Sequence, residues 1–229
     1  MKNIVHRIDN MEHMATLPDN NYDLAIDDPP YFEGVEMDYF YHGGESKYGS
    51  LAPAKKLDFW KIPDKQYYNE LCRISTAQII WGINYYDFGL TPSGRIIWDK
   101  NNQNSTFSDC EIALCSLIKS VRKIVCTWDG FRMGSETGIK RIHKTQKPVA
   151  LYKWLLQNYA KAGQTIFDPH VGSRSLGIAC NDLGFSYEGC EIDPGVWAEQ
   201  EYRYEVYKMR GGDMKGISLS KIPNSILDE

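Results

Sequence analysis

Four consecutive residues, Asp28-Pro29-Pro30-Tyr31, join an acid, two prolines and an aromatic ring at the end of the apolar run 22–27. The pyrrolidine rings hold φ near about −65° and remove two backbone donors. Pro30 also biases Pro29 away from the helical region. A corner this stiff can aim a carboxylate, a backbone carbonyl and a ring at one point. The chemistry that suits it is methylation of an exocyclic amino group on a base, a poor nucleophile because its lone pair is delocalised into the ring. The Asp28 carboxylate and the Pro29 carbonyl can hold the two N–H groups, favour a pyramidal nitrogen and stabilise the positive charge that develops there. Tyr31 can stack on a base taken out of the duplex. Asp27, which is not joined to the prolines, reads as structural. Taken alone, the four residues also suit a strand end punctuated by prolines.

A second group decides between these readings. Asp168-Pro169-His170-Val171-Gly172-Ser173 leaves one apolar run and opens a helical one. A turn with glycine lets backbone approach a ligand closely, beside a helix N-terminus. Further along, the run 187–190 ends at Glu191, where a carboxylate at a strand tip can take two ribose hydroxyls. No Gly-Lys-Ser/Thr follows the glycine, and no GxGxxG is present. The pocket therefore suits an adenosine-type cofactor without a pyrophosphate, such as S-adenosylmethionine.

Alternating periods must position these groups. Strands are expected at 3–8, 22–27, 78–84, 94–100, 111–117, 122–127, 165–168 and 187–191. Helices are expected at 11–17, 65–77, 148–161, 175–183 and 194–209. Segments 111–117 and 122–127 look like a strand pair. Strands alternating with helices imply a largely parallel sheet with ligands at the carboxyl ends of its strands. Residues 32–60, rich in Tyr, Phe and Gly, have no clean period: they suit a lid, a DNA-contacting loop or ordered surface packing. The tail from 211 reads as loosely structured.

Composition bounds the rest. The 229 residues suit a single α/β domain spanning 1–229, and 42% hydrophobic against 24% charged content argues for a packed core. Six cysteines without a CxxC pair read as reduced thiols, and the five histidines lack metal-ligand spacing. The N-terminus is no signal peptide, and no apolar run is long enough to span a membrane, so the expected location is cytoplasmic. Net charge is −4, but residues 119–147 carry eight basic and two acidic residues, against eighteen and twenty-eight elsewhere. That stretch reads either as a phosphate-contacting strip or as a solvated face.

With both groups in place, the chain resembles the amino-group DNA methyltransferases, which modify adenine N6 or cytosine N4. Asp28-Pro29-Pro30-Tyr31 looks like their catalytic motif, and Asp168 to Ser173 is similar to their S-adenosylmethionine motif. Glu191 falls where the family's ribose-binding acid lies, and Asp9 where it often has an acid near the cofactor's adenine. Thr145-Gln146-Lys147-Pro148 resembles the segment that closes over the methionine end. The catalytic motif precedes the cofactor motif, as in the permuted beta group, and such compact forms are similar to phage and prophage methyltransferases. The resemblance implies a Rossmann-like methyltransferase fold with a mostly parallel seven-stranded sheet and helices on both faces. It implies catalytic residues Asp28, Pro29, Pro30 and Tyr31, and a cofactor set of Asp9, Lys147, Pro148, Asp168, Pro169, His170, Gly172, Ser173 and Glu191. Double-stranded DNA is the implied partner, with Arg132, Lys140, Arg141 and Lys144 on its backbone. Recognition is shared with loop 32–60, relaxed, or completed by a second subunit in a homodimer. An aspartate in first place favours adenine over cytosine. The alternatives are an inactive DNA-binding relative, an N4-cytosine enzyme, or one acting on RNA or protein amides. Two positions depart from the family pattern. Arg174 stands where a second glycine is usual, so that its side chain either crowds the cofactor or points to solvent. His170 replaces an aromatic, which leaves a hydrogen bond to the cofactor or a plain substitution.

Overall fold

The computed structural model describes residues 1–32, 61–89, 93–102, 108–128, 133–139, 141–143, 145–215, 222–223 and 226. Residues 33–60, Arg132, Lys140 and Lys144 lie outside them, and with them most of the 32–60 loop and three of the four residues expected on DNA.

In chain order the elements are β1 (Asn3–His6), α1 (Asn10–Ala15), β2 (Tyr22–Asp27), α2 (Lys65–Ile74), β3 (Ser75–Trp81), β4 (Gly94–Asp99), β5 (Cys110–Cys115) and β6 (Val121–Val125). They continue with α3 (Val149–Tyr159), β7 (Thr165–Asp168), α4 (Ser175–Leu183), β8 (Ser186–Cys190) and α5 (Pro194–Met209). One sheet runs β1-β8-β7-β2-β3-β5-β4-β6. Among the described strands only β5 is antiparallel to its neighbours, β3 and β4; β6 pairs with β4 in parallel.

The α/β class is as expected, and three boundaries or pairings are corrected. Among the described residues the sheet has eight strands rather than seven. The helix expected over 65–77 stops at Ile74, because residues from Ser75 onward pair with β2 in the register Tyr22↔Ser75 and Leu24↔Ala77. Strand pairing overrides the helical period there. The expected partners β5 and β6 do not pair; β4 lies between them.

The two faces of β2 explain the apolar stretch Leu24-Ala25-Ile26 at its centre. Leu24 and Ile26 face a core built with Leu151 and Leu155 of α3, Ile178 of α4 and Tyr204 of α5. Ala25 faces the other core, with Met14 of α1 and Tyr67, Leu71 and Ile74 of α2. A parallel strand covered on both faces has little room for polar residues. No described helix is long and apolar enough to cross a membrane.

Candidate active site

Because β2 pairs with β7 and β7 with β8, all in parallel, their carboxyl ends fall at one edge of the sheet. Asp28, Pro169 and Glu191 follow those ends and line a single cavity of about 390 Å³, a size usual for small-molecule sites. The two sequence groups, 140 residues apart in the chain, therefore meet in one cleft.

On one side the chain turns at Gly172, with φ of 51°. Its N–H donates to Glu191 Oε2 at 3.0 Å, and Asp193 N–H donates to Oε1 at 2.9 Å. Burial pushes the Glu191 carboxyl above its ordinary range, against the pull of these N–H donors. Pro169, His170, Ser173 and Asp9 also line the cavity. Asp9 spends one carboxylate oxygen capping α1, accepting from Met11 N at 2.8 Å and Glu12 N at 3.2 Å. His170 is held from both ends: Nδ1 lies 2.8 Å from Asp27 Oδ1, and Nε2 lies 2.9 Å from Asn10 Nδ2. Asp27 also accepts from Tyr67 Oη at 2.7 Å and is fully buried, the structural role expected of it. Gln146 lines the cavity, and its buried Nε2 has no hydrogen-bond partner among the described residues.

Three expected cofactor contacts move. Asp168 lies behind the cavity wall, buried, accepting from Tyr187 Oη at 2.9 Å. Burial pushes its carboxyl up to about 8. Pro148 sits buried at the start of α3 and does not line the cavity. Lys147 does line it, but on the opposite side, against Asp28. Arg174 takes neither expected course. It occupies the left-handed region, φ 60°, which explains why glycine suits that position. Its side chain is buried away from the cavity, donating to Asn3 O at 3.0 Å, to Asn3 Oδ1 at 2.9 Å and to Gln200 Oε1 at 3.1 Å. It pairs with Glu201, and the guanidinium lies 3.9 Å from the centroid of the Tyr204 ring.

The other side is a knot of charge around buried Lys147, with Asp28, Glu111 and Lys100 half-buried. Lys147 Nζ contacts Asp28 Oδ1 and lies 3.0 Å from Glu111 Oε2. Tyr31 Oη lies 2.7 Å from Asp28 Oδ1 and 3.0 Å from Glu111 Oε2, and accepts from Lys147 at 3.0 Å. Glu111 Oε1 pairs with Lys100 at 2.7 Å. Burial pushes Asp28 up, opposed by Lys147 and assisted by Glu111. Burial pushes Glu111 up as well, but Lys147 and Lys100 outweigh it and hold that carboxyl at about 2. Tyr31 presents no bare ring: it stacks on Tyr85 with centroids 5.0 Å apart, and Tyr85 is 44% exposed. The Pro29 and Pro30 carbonyls each lie 3.0 Å from Tyr86 Oη. The single Tyr86 proton leaves carbonyl lone pairs for a second donor.

Several of these residues carry no signal in the sequence. Glu111 enters because β5 is antiparallel, so its first turn of chain lies at the edge where the parallel strands end. Gly82 enters because a Cβ there would lie 2.2 Å from Tyr31 Cε1. Arg141 is exposed, as are Lys119 and Arg122. His6 and His13 converge on Glu188 at the sheet edge, where Glu188 also pairs with Lys2 at 2.7 Å; none of these four lines the cavity.

A family model described as "DNA methylase" (N6_N4_Mtase) matches residues 120–199. Type II methyltransferase M.HinfI of Haemophilus influenzae is 24% identical over 99% of this chain and 76% of its own length. Among solved structures, an M1.HpyAVI–SAM complex superposes with a TM-score of 0.53 at 20% identity, covering 87% of this chain and 98% of that one. PvuII DNA methyltransferase, cytosine-N4-specific, superposes with a TM-score of 0.58 at 12% identity, covering 100% and 92%. The fold is thus that of these methyltransferase structures.

Proposed function

We propose that this chain, a relative of the amino-group DNA methyltransferases in sequence and in fold, transfers a methyl group from S-adenosylmethionine to an exocyclic amine of a base extruded from double-stranded DNA, with adenine N6 as the target. One observation carries the reading: the Asp28 carboxylate and the Gly172–Glu191 turn line the same cleft, on the tips of adjacent parallel strands.

The residues present fit the cofactor. A glycine turn without bulk, an acid with both oxygens anchored by backbone N–H groups, and an unpartnered Gln146 Nε2 form a cradle for a nucleoside with a polar tail. Bound there, the cofactor supplies an electrophilic methyl on a sulfonium. Glu191 holds the ribose hydroxyls, and His170, fixed by Asp27 and Asn10, borders the same site. On the other side Asp28 accepts an N–H of the target amine, and the Pro29 carbonyl accepts the other with its remaining lone pair. As the nitrogen gains the methyl it loses one proton, for which Asp28 is the nearest base. Burial raises the Asp28 carboxyl above its ordinary range, which suits it to take that proton. Tyr31 acts inward, on Asp28, with its ring stacked on exposed Tyr85. Arg174 turns away from the cavity, which removes the chief reason for reading the chain as an inactive relative.

Nucleoside mass spectrometry on DNA from cells expressing the chain tests this. N6-methyladenine is expected, and it should vanish with Asp28→Ala. N4-methylcytosine would correct the base. A labelled donor that marks only RNA or protein, or nothing at all, would overturn the proposal.

A further inference from the structure

The charge cluster around Asp28 contains more than amine methylation requires. Asp28 alone could receive the amine, yet a second, partly buried carboxylate, the buried Lys147 ammonium and the partly buried Lys100 ammonium lie beside it. They form a chain of contacts with a direction. Lys100 Nζ, 5.2 Å from the centroid of the Trp98 ring, holds Glu111 by Oε1. Glu111 turns Oε2 to both Lys147 and Tyr31. Lys147 and Tyr31 in turn both contact Oδ1 of Asp28. Every one of these contacts falls on the same oxygen of Asp28. The carboxylate is gripped from one side, and Asp28 itself lines the cleft.

We propose that Glu111 is a positioning residue for the amine-methylation reaction: anchored by Lys100, it holds Lys147 and Tyr31 against Oδ1 of Asp28 and shares the Lys147 charge, so that Oδ2 meets the target amine as an acceptor that is oriented but not neutralised. The inference rests on the amine-methylation reading given above.

Charge balance gives the physical reason. Two carboxylates and two ammonium groups sum to zero. Without Glu111, the cluster carries a net positive charge close to where positive charge develops on the amine nitrogen. Interactions at such distances away from bulk water are large. Lys147 would then lie undivided on Asp28 and weaken it as a base. The environment separates the two acids accordingly. Asp28 is displaced upward by burial and by Glu111, whereas Lys147 and Lys100 keep Glu111 ionised, at about 2. Glu111 can therefore remain the constant counter-charge while Asp28 takes a proton.

The test uses Glu111→Gln, which keeps shape and removes charge, and the double variant Glu111→Gln with Lys100→Met, which restores neutrality. In Glu111→Gln, kcat should fall roughly 100-fold, while cofactor and DNA affinity stay within about two-fold. A carboxyl-carbon NMR titration without DNA, assigned with Asp28→Asn, should show the Asp28 midpoint moving to lower pH. The double variant should return the midpoint upward and recover roughly ten-fold in kcat. An Asp28 midpoint that does not move in Glu111→Gln, or a double variant no better than the single, would overturn the proposal. If the wild type binds cofactor but methylates no nucleic acid, the functional reading fails, and the Asp28 midpoint still decides what Glu111 does.

Discussion

Replacing Glu191 by glutamine separates the cofactor half of the cleft from the catalytic half. The carboxylate accepts from two backbone donors, Gly172 N–H on Oε2 at 3.0 Å and Asp193 N–H on Oε1 at 2.9 Å. Glutamine has one acceptor oxygen, so its NH₂ must face one of those donors. A buried donor without an acceptor costs about 1–3 kcal/mol. That cost falls mainly on the free protein, and it is offset in part because burial already disfavours the Glu191 anion. Only a small fall in the melting temperature is therefore expected. Binding loses a hydrogen bond to a charged acceptor, worth about 1.5–3 kcal/mol. At about 1.4 kcal/mol per decade, the Kd for S-adenosylmethionine should rise roughly 10- to 100-fold. Asp28→Ala, across the cavity, should leave that Kd within about two-fold while lowering turnover by roughly 1000-fold. A pH series adds a sign. Glu191 is raised above its ordinary value, so wild-type affinity should fall as pH drops through its titration, and Glu191→Gln should lack that limb. Titration calorimetry measures the affinities and their pH dependence, thermal melting the stability, and a methylation assay the turnover. The reasoning fails if Glu191→Gln binds the cofactor as the wild type does, or if Asp28→Ala loses cofactor affinity to the same extent.

Gly82→Ala would put a Cβ 2.2 Å from Tyr31 Cε1 at a backbone φ of 68°; stability should drop by roughly 2 kcal/mol and kcat should fall as the Tyr31 hydroxyl leaves Asp28, so unchanged kinetics would show that Tyr31 is not needed there. Asp168 is pushed up to about 8 by burial, whereas the unfolded chain ionises it near pH 4. The native state thus holds an extra proton, and wild-type stability should fall as pH rises through that window, by at most about 1.4 kcal/mol per pH unit from this group. Asp168→Asn should flatten the slope in urea titrations at pH 6 and 8, with cofactor affinity retained; an unaltered slope would place the proton elsewhere. Arg174→Gly relaxes a left-handed backbone but removes the buried contacts to Asn3, Gln200 and Tyr204. A net loss of roughly 2–4 kcal/mol is expected, with S-adenosylmethionine affinity unchanged in calorimetry. A large affinity change would mean that the side chain reaches the cavity after all.

The sequence by itself determined the elements and the two motifs. The apolar stretch Leu24-Ala25-Ile26 of β2 is legible because a strand covered on both faces is apolar at its centre, and α4 and α5 have their expected bounds because glycine and proline punctuate them locally. The stiffness of the corner at Asp28 and the glycine conformation at Gly172 are also local, since each belongs to a few adjacent residues. Tertiary structure decided what depends on neighbours distant in the chain. Arg174 is no obstacle at the turn, because Asn3 and α5 receive its side chain. Lys147, expected at the cofactor, faces Asp28, and Asp168 lies behind the wall with Tyr187. Glu111 became part of the site only because β5 runs against the rest of the sheet and brings its starting residues to the edge where the parallel strands end. Strand direction and order are set by packing over the whole sheet, and no stretch of sequence short enough to read as a motif contains them.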